Sequence, residues 1–586
     1  MSIAVHVTHE AIHKVGGIGA VLAGLVTAAQ YRNGTQRTIL VGPLTDRHRA
    51  TPLGADGTVL YDNRNGTWSE SVGTLLYEVE RRYGQRIVYG RRRFDCPDGT
   101  QVEPEVLLVD VEGGAPHGLG QFKFQLFQHF GLASDRYESE WEYEQYVRLA
   151  EPAYDAVLAL IGERQGVPVH IIAHEFMGLP TALKAKLADD SAVFTVFYAH
   201  EVATARRLVE DVPGGDVAFY GALRATAGST QFIEDVFGPQ DAFFKHALIR
   251  QAWRCDAVFA VGDLVQQELR FLGPEFSQIE IDRVYNGVPL HSALAGPERE
   301  AARLRLASFA EGLFGWSPGL VFTHVGRLVA SKALWRDLLV LEALEEELLA
   351  QGRDAVLIVL ATEAGPRLAA SVEQMRREYD WPLVHREGYP DLTPGEMAFD
   401  LKVRAFNARA RRIRVLFVNQ FGFDTASTAG AVPADVEFAD LRRGSDAEFG
   451  LSTYEPFGIA QIEPLASGAV SVISDVCGCL GFLQQVTADA EGPPVFVRGE
   501  FTQIGAAAPA DAAGWRSFEA ADRQSWELRC SRELAKVLAR TLPADEKGRQ
   551  HLLEAGQAAA AAMSWDRVVE TQYLPALSRM EQRRRR

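Results

Sequence analysis

Cysteine is scarce in this chain: five residues in 586, at Cys96, Cys255, Cys477, Cys479 and Cys530. An odd handful builds no disulfide framework and fits a reducing compartment. Cys477-Gly478-Cys479 has no second cysteine pair to complete a zinc site, so its thiols read as buried or incidental. No apolar run approaches the eighteen or so residues that a membrane-spanning helix needs. The first residues, Met1-Ser2-Ile3-Ala4-Val5-His6-Val7, read directly as a strand, without the basic stretch and cleavable apolar segment of an export signal. The expectation is a cytoplasmic protein without a membrane partner. Positive charge is also short. A formal net charge of −17 argues against nucleic-acid binding, which asks for a basic surface. Only nine of the 60 basic residues are lysine, and two of these, Lys14 and Lys332, fall in glycine-containing loops discussed below. The run Arg583–Arg586 reads as a frayed basic end rather than an address.

What is present is an ordinary globular composition, 47% hydrophobic and 23% charged, on a chain too long for one core and suited to two or three domains. Strand and helix patterns alternate almost throughout, which implies parallel sheets with helices on both faces. Strands are expected at 3–8, 37–42, 105–111, 169–174, 192–198, 256–261 and 281–285. Helices are expected near 18–31, 140–163, 178–188, 244–254 and 263–272. Residues 45–104, rich in turn formers and arginine, read as an insertion or hairpins decorating the first domain. Asn286-Gly287-Val288-Pro289 closes that half, and a polar helical stretch covers 290–317. A second series has strands at 320–324, 355–360, 413–418, 447–451 and 470–474, with helices near 333–350, 394–411 and 456–467. The end is helical over 521–541, 545–562 and 564–582. This pattern implies an α/β protein with two doubly wound domains and a cleft between them, where ligands sit at the carboxyl ends of strands.

The most informative segment is Ser452-Thr453-Tyr454-Glu455-Pro456-Phe457-Gly458-Ile459-Ala460-Gln461-Ile462-Glu463. Proline suits the first helical position, so a helix is expected from Pro456, with Glu455 just ahead of it and Glu463 about two turns inside. The amides of Phe457, Gly458 and Ile459, with the helix dipole, would then suit a diphosphate. Glu455 could hold sugar hydroxyls and Glu463 a ribose. The plain alternative is an amphipathic helix with two solvated glutamates. In His324-Val325-Gly326-Arg327-Leu328-Val329-Ala330-Ser331-Lys332, a strand-to-helix loop places Arg327 and Lys332 where they can clamp a diphosphate; the alternative is a helix start with solvated basic residues.

Lys14-Val15-Gly16-Gly17-Ile18-Gly19 follows the first strand, and its glycines permit close backbone approach to an anion. It is not the dinucleotide fingerprint, because the third glycine is absent. His9-Glu10-Ala11-Ile12-His13 spells the zinc-protease signature, but at a strand end rather than mid-helix, so no metal is expected. His200 in Tyr198-Ala199-His200-Glu201 and His174 in Ala173-His174-Glu175 end strands of the first half, where a lone histidine is more often structural. Arg409, Arg411, Arg412 and Arg414 read as the wet face of a helix and its exit, with an anionic regulator as the other reading.

Together these segments resemble the glycogen synthases, closest to the eukaryotic-type branch, within the retaining GT-B glycosyltransferases. Lys14-Val15-Gly16-Gly17 is similar to the family's K-x-G-G loop, His324 to Lys332 to its G-R-x-x-x-x-K loop, and Ser452 to Glu463 to its E-x7-E. Ala173-His174-Glu175 resembles its H-E/D-W element, with Phe176 in place of tryptophan. Phe194 to Leu208 resembles the strand ending in histidine, Val284 to Val288 the N-G-[ILV] turn, Val403 to Val418 the arginine-rich helix and strand, and Ser564 to Val568 the S-W-x-x-[VT] start of the last helix. Leu451 stands where proline is usual, and 45–104 and 480–520 match no part of the family.

The resemblance implies a GT-B fold of two Rossmann-like domains facing a central cleft. They comprise an acceptor-side domain over 1–290, a nucleotide-sugar domain over 318–562, and a helix over 563–586 that returns to the first. It implies transfer of glucose, with retention, from UDP-glucose or ADP-glucose to an α-glucan, without a separate cofactor or metal. Glu455, His200, Arg327 and Lys332 would act on the reacting groups; Lys14, Gly16, Gly17, Arg327, Lys332, Phe457, Gly458, Ile459 and Glu463 would bind the donor. A small sugar acceptor, or a catalytically silent glucan-binding relative, are the competing readings, and a homo-oligomer is compatible with either.

Overall fold

Runs such as Ser2–Val7 and Val193–Ala199 are mostly apolar, broken by Ser2, His6 and Thr195, the pattern of strands covered on both faces; every residue in both is buried. The structure is a computed structural model and describes residues 1–12, 16–48, 51–163, 166–211, 215–289, 294–505, 508–518 and 520–585. The chain divides into two compact units, Met1–Ala205 with Gly228–Gly287 and Ser564–Arg586, and Arg206–Ala227 with Val288–Met563.

The first unit holds a nine-stranded sheet. Its strands are β1 (Ser2–Val7), β2 (Thr35–Pro43), β3 (Gly57–Asp62), β4 (Ile87–Arg92), β5 (Glu105–Val109), β6 (Val169–His174), β7 (Val193–Ala199), β8 (Ala257–Ala260) and β9 (Ile281–Arg283). Their order is β9-β8-β7-β6-β1-β2-β5-β4-β3. Pairing is parallel from β9 through β5 and antiparallel at β4 and β3. The 45–104 region, expected as an insertion or hairpins decorating the first domain, extends the main sheet by two antiparallel strands, β4 and, at the edge, β3, plus the helix Gly73–Tyr83 and a small hairpin of Phe94–Asp95 with Gln101–Val102. Its arginines did not prevent pairing because they lie toward the strand ends, while Ile87, Val88 and Tyr89 are buried.

The last helical stretch, Trp565 to Arg585, packs in this first unit. Trp565 lies against Gly24 and Gly287; a Cβ on Gly24 would fall 2.0 Å from the indole Nε1, so glycine is what admits the ring. The basic end is anchored rather than frayed: Arg583 pairs with Glu280, Arg579 with Asp282 at 2.5 Å, and Arg584 donates to the Val193 carbonyl.

The second unit contains six parallel strands, β10 (Leu320–Arg327), β11 (Ala355–Thr362), β12 (Ile413–Val418), β13 (Ala447–Gly450), β14 (Val470–Ser474) and β15 (Phe496–Gly499), in the order β12-β11-β10-β13-β14-β15. The last of these, at the sheet edge, comes from the 480–520 region that matched no part of the resembled family. Both sheets start in the middle, run outward one way, and then resume on the other side of the starting strand. Each thus has a topological switch point, between β1 and β6 in the first unit and between β10 and β13 in the second.

The segment Arg206–Ala227, expected with the first half, belongs to the second unit. Three contacts hold its helix Gly215–Ala225 there. Trp515 packs on Gly221, where a Cβ would lie 2.1 Å from the ring; Arg224 donates to the Thr502 carbonyl; and Asp216, wholly buried, pairs with buried Arg336 at 2.5 Å. Arg336 also donates through Nε to Glu527 at 2.8 Å and lies over the Phe501 ring at 4.3 Å. Arg523 approaches the same two carboxylates at 3.7 and 3.3 Å. Removing one member of a buried charge network strands the others and typically costs about 3–5 kcal/mol. We expect Arg336→Met to lower the stability of this unit toward the lower end of that range, because Arg523 compensates in part. Urea unfolding is the check, and an unchanged midpoint would remove Arg336 from this role.

Candidate functional site

In the second unit, the loops singled out from the sequence leave the carboxyl ends of β10 and β13, the two strands flanking the switch point, where open α/β sheets bind ligands. Arg327 ends β10, exposed and with no ion-pair partner among the described residues. Lys332 closes a short 3₁₀ turn, Ala330–Lys332, and Ala333 follows with φ +49° before the helix Leu334–Gln351. After β13, the amide of Thr453 donates to the Ser331 carbonyl at 2.7 Å, stitching one loop to the other. The Lys332 ammonium then pairs with the Glu455 carboxylate. Two residues 123 positions apart in the chain thus share one spot.

The helix after Glu455 differs from expectation. Pro456, Phe457 and Gly458 remain in the loop, and the helical stretch is Ile459–Ile462, four residues, followed by a 3₁₀ turn Glu463–Ser467. Gly458 has φ +90°, and a Cβ there would meet Gln461 Oε1 at 2.6 Å and Cys477 Sγ at 2.8 Å. A residue in that conformation ends any helix begun at Pro456, and Pro464 removes the next donor. So short a helix sums few peptide dipoles, which weakens the expected diphosphate cradle at 457–459. Instead the loop is held from behind: Gly478 N–H donates to the Glu455 carbonyl at 2.8 Å and Cys479 N–H to the Phe457 carbonyl at 2.7 Å. A Cβ on Gly478 would fall 1.7 Å from the Pro456 carbonyl oxygen, so only glycine permits this contact. Cys477 and Cys479 lie buried beneath it with sulfurs 3.4 Å apart.

Three partners of these residues, Arg442, Glu448 and Asp337, carried no readable signal in the sequence. Glu463 lies 3.5 Å from Arg442, whose other terminal nitrogen reaches buried Glu448 at 3.1 Å. His324, three residues before Arg327 on β10, is buried and bonded through Nδ1 to Asp337 at 2.6 Å. Burial alone would lower this imidazole, but the Asp337 and Glu448 carboxylates hold it above the ordinary histidine value. A cavity of about 390 Å³ lies beside the two loops, lined among others by Ala330, Trp335, Lys402, Thr453, Arg523 and Glu527. The arginines near 409–414 are engaged structurally: Arg409 pairs with Glu342, Arg412 with Asp354, and Arg414 bonds the carbonyls of Ala410 and Ile413.

In the first unit, Lys14 and His13 lie outside the described residues, so the K-x-G-G loop is seen only from Gly16. Gly16 and Gly17 are exposed. The first-turn amide of Gly19 is already spent within the chain, because it donates to the buried Glu10 carboxylate at 2.8 Å. Glu10, read in the zinc-like motif, is thus the cap of that helix. His174 ends β6, and His200 directly follows the end of β7. Glu175, at φ +58°, turns its carboxylate to the amides of His200 and of Glu201, the latter at 2.7 Å. His200 Nε2 lies 2.8 Å from His174 Nδ1, and His174 Nε2 lies 2.9 Å from His6 Nδ1. Burial, with help from neighbouring imidazoles, pushes His6 and His200 down to about 3, and His174 well below the ordinary value. All three are therefore uncharged near neutral pH.

No family model matches the chain. The glycogen [starch] synthase of Dictyostelium discoideum is 27% identical over 96 residues, 16% of this chain and 10% of that protein, so the match spans about a tenth of the relative's length. Among solved structures, the catalytic domain of starch synthase IV from Arabidopsis thaliana, bound to ADP and acarbose, aligns at TM-score 0.49 and 12% identity, covering 99% of each chain. A UDP-forming α,α-trehalose-phosphate synthase from Burkholderia xenovorans aligns at TM-score 0.48 and 13% identity, again over 99% of each.

The uncharged imidazoles have a measurable consequence. An unfolded histidine takes up a proton below its ordinary value of 6.5, whereas His6, His174 and His200 do not until far lower. Their contribution to stability is complete above that value and is lost as pH falls below 6.5, by up to about 1.4 kcal/mol per pH unit for each ring. We expect the unfolding midpoint of the first unit to drop between pH 7 and 5, with a shallower drop in His6→Phe. Identical slopes in the two proteins would contradict the neutral assignment.

Proposed function

We propose that this protein is a retaining glycosyltransferase of the GT-B type that moves glucose from UDP-glucose or ADP-glucose to an α-glucan. The observation that carries this reading is the convergence of Arg327, Lys332 and Glu455 on the two strand ends at the switch point of the second unit. Glycosyl transfer from a nucleoside diphosphate must stabilise a departing diphosphate and a sugar with oxocarbenium character. Arg327 and Lys332 supply fixed positive charge for the first need. Glu455, already within reach of Lys332, supplies a carboxylate for sugar hydroxyls and for the developing cation. Lys332 can serve the diphosphate while Glu455 turns to the sugar. Glu463, with Arg442 beside it, takes the ribose hydroxyls.

On the same reading His200 orients the donor sugar, and Gly16 and Gly17 offer open backbone to phosphate. The chemistry is supplied by side chains and needs no cofactor. The short match to a glycogen synthase supports a glucan acceptor, as does the set of motifs quoted from the sequence.

The test is nucleotide release from UDP-glucose and ADP-glucose, with and without glycogen. We expect release that depends on glycogen, lowered about 10²–10³-fold by Glu455→Gln or by Lys332→Ala, the scale of losing one charge-stabilising group. Donor binding with no turnover on glycogen would move the acceptor to a small sugar. Donor binding without any turnover on sugar acceptors would identify a silent relative. Failure to bind either donor would sink the reading.

A further inference from the structure

His6 and His174 stand on β1 and β6 and His200 directly follows β7, three neighbouring strands in the sheet of the first unit, and the three rings form one unbroken line of hydrogen bonds. Beyond His6, its Nε2 lies 2.9 Å from the Tyr31 hydroxyl, which lies 3.1 Å from Thr38 Oγ1. Ring centroids follow at 6.1 Å from Tyr31 to His6, 5.2 Å to His174 and 5.1 Å to His200, the last pair stacked at 14°. His6 and His174 are wholly buried. Of the six ring nitrogens, Nδ1 of His200 alone takes no partner among the described contacts, and His200 is the one residue of the three that is not fully buried.

A neutral imidazole carries one N–H and one lone pair, so the direction of any bond in the line dictates every other. If Tyr31 donates to His6, then His6 donates through Nδ1 to His174 and His174 through Nδ1 to His200. His200 then keeps its hydrogen on Nδ1, as a donor. If the line runs the other way, each ring holds its hydrogen on Nε2, Tyr31 donates to Thr38, and Nδ1 of His200 is an acceptor. Both arrangements contain the same hydrogens, one per ring and one per hydroxyl, so choosing between them changes no charge. A mixed arrangement would set two N–H groups, or two lone pairs, face to face in a buried place.

We propose that Tyr31, His6 and His174 are positioning residues forming a tautomer relay, which sets whether His200 presents a hydrogen-bond donor or an acceptor at Nδ1. The matching ligand chemistry is a hydroxyl group, which can itself donate or accept; its assignment to the donor sugar rests on the function proposed above, whereas the relay itself does not. The titratable groups facing the line are His9, His170, Glu175, Tyr198 and Tyr573. Glu175 is turned to the backbone amides of His200 and Glu201, and the Tyr198 hydroxyl to the Val284 carbonyl.

The experiment is long-range ¹⁵N–¹H spectroscopy of the full chain labelled at histidine, between pH 5.5 and 8, with assignments from single variants. We expect all three rings to be neutral and to carry their hydrogen on the same nitrogen. His6→Phe, which touches His174 and not His200, should turn His200 into a mixture of tautomers. Tyr31→Phe, which removes one hydroxyl only, is the milder form of the same test. His174→Gln should keep His200 in one tautomer, because an amide can accept on one side and donate on the other. Rings in different tautomers, a ring that titrates in this range, or a His200 untouched by both His6→Phe and Tyr31→Phe would overturn the relay. UDP-glucose and ADP-glucose binding separates the two claims. On the joint reading His6→Phe weakens binding about tenfold, the scale of one hydrogen bond, and His174→Gln does not. An intact relay with donor binding indifferent to His200→Ala would overturn the sugar assignment and leave the relay standing.

Discussion

The second unit is organised around one buried cation. Arg336 is wholly inaccessible, and its guanidinium fork is spent on Asp216, on Glu527 and, at 3.4 Å, on the carbonyls of Leu451 and Ser452. The two surrounding carboxylates keep it charged despite burial. A charge this deep is tolerable only when every partner is in place, so one side chain obliges three separate pieces of chain to meet. These are the helix Gly215–Ala225 from the first half of the sequence, the helix Ala520–Thr541 near its end, and the loop that leads into Glu455. The position of the candidate carboxylate therefore depends on a charge network that contains none of the proposed reacting groups.

The first unit solves a similar problem without charge. Its inner strands bring three imidazoles into contact, and burial keeps them neutral, so that hydrogen-bond direction rather than electrostatic attraction is what the interior specifies. Glycine has the complementary role in both units. At Gly24, Gly287 and Gly478 the absent side chain makes room for an indole or a carbonyl, and at Gly458 it permits the backbone turn that separates Glu455 from the helix after it. Close approach of backbone, more than length of helix, shapes the loops at the switch point.

Much of this was legible in the order of residues alone. Apolar runs such as Ala355–Ala361 announce doubly covered parallel strands, and the alternation with helices gives the α/β class. Arg327, Lys332, Glu455 and Glu463 were visible as candidates because short motifs sit just past strand ends. The helix start at Pro456 was misjudged because local preference for proline was outweighed by Gly458, whose positive φ interrupts the helix and whose missing side chain leaves room for Cys477 and Gln461. Strands β3, β4 and β15 were missed because turn formers and charge interrupt their apolar residues, as in Gly90-Arg91-Arg92 of β4, and because β3 and β15 lie at sheet edges, where polar residues are common.

Sequence by itself determined the elements, the class of fold and the presence of a basic loop and an acidic pair, since these follow from local periodicity and spacing. Tertiary structure decided which of them meet. The Lys332–Glu455 pair, the Arg336 network that draws residues 206–227 into the second unit, and the His6–His174–His200 line all join residues far apart in the chain. Their contacts are set by strand order about a switch point, and strand order leaves no trace in any window of sequence short enough to read.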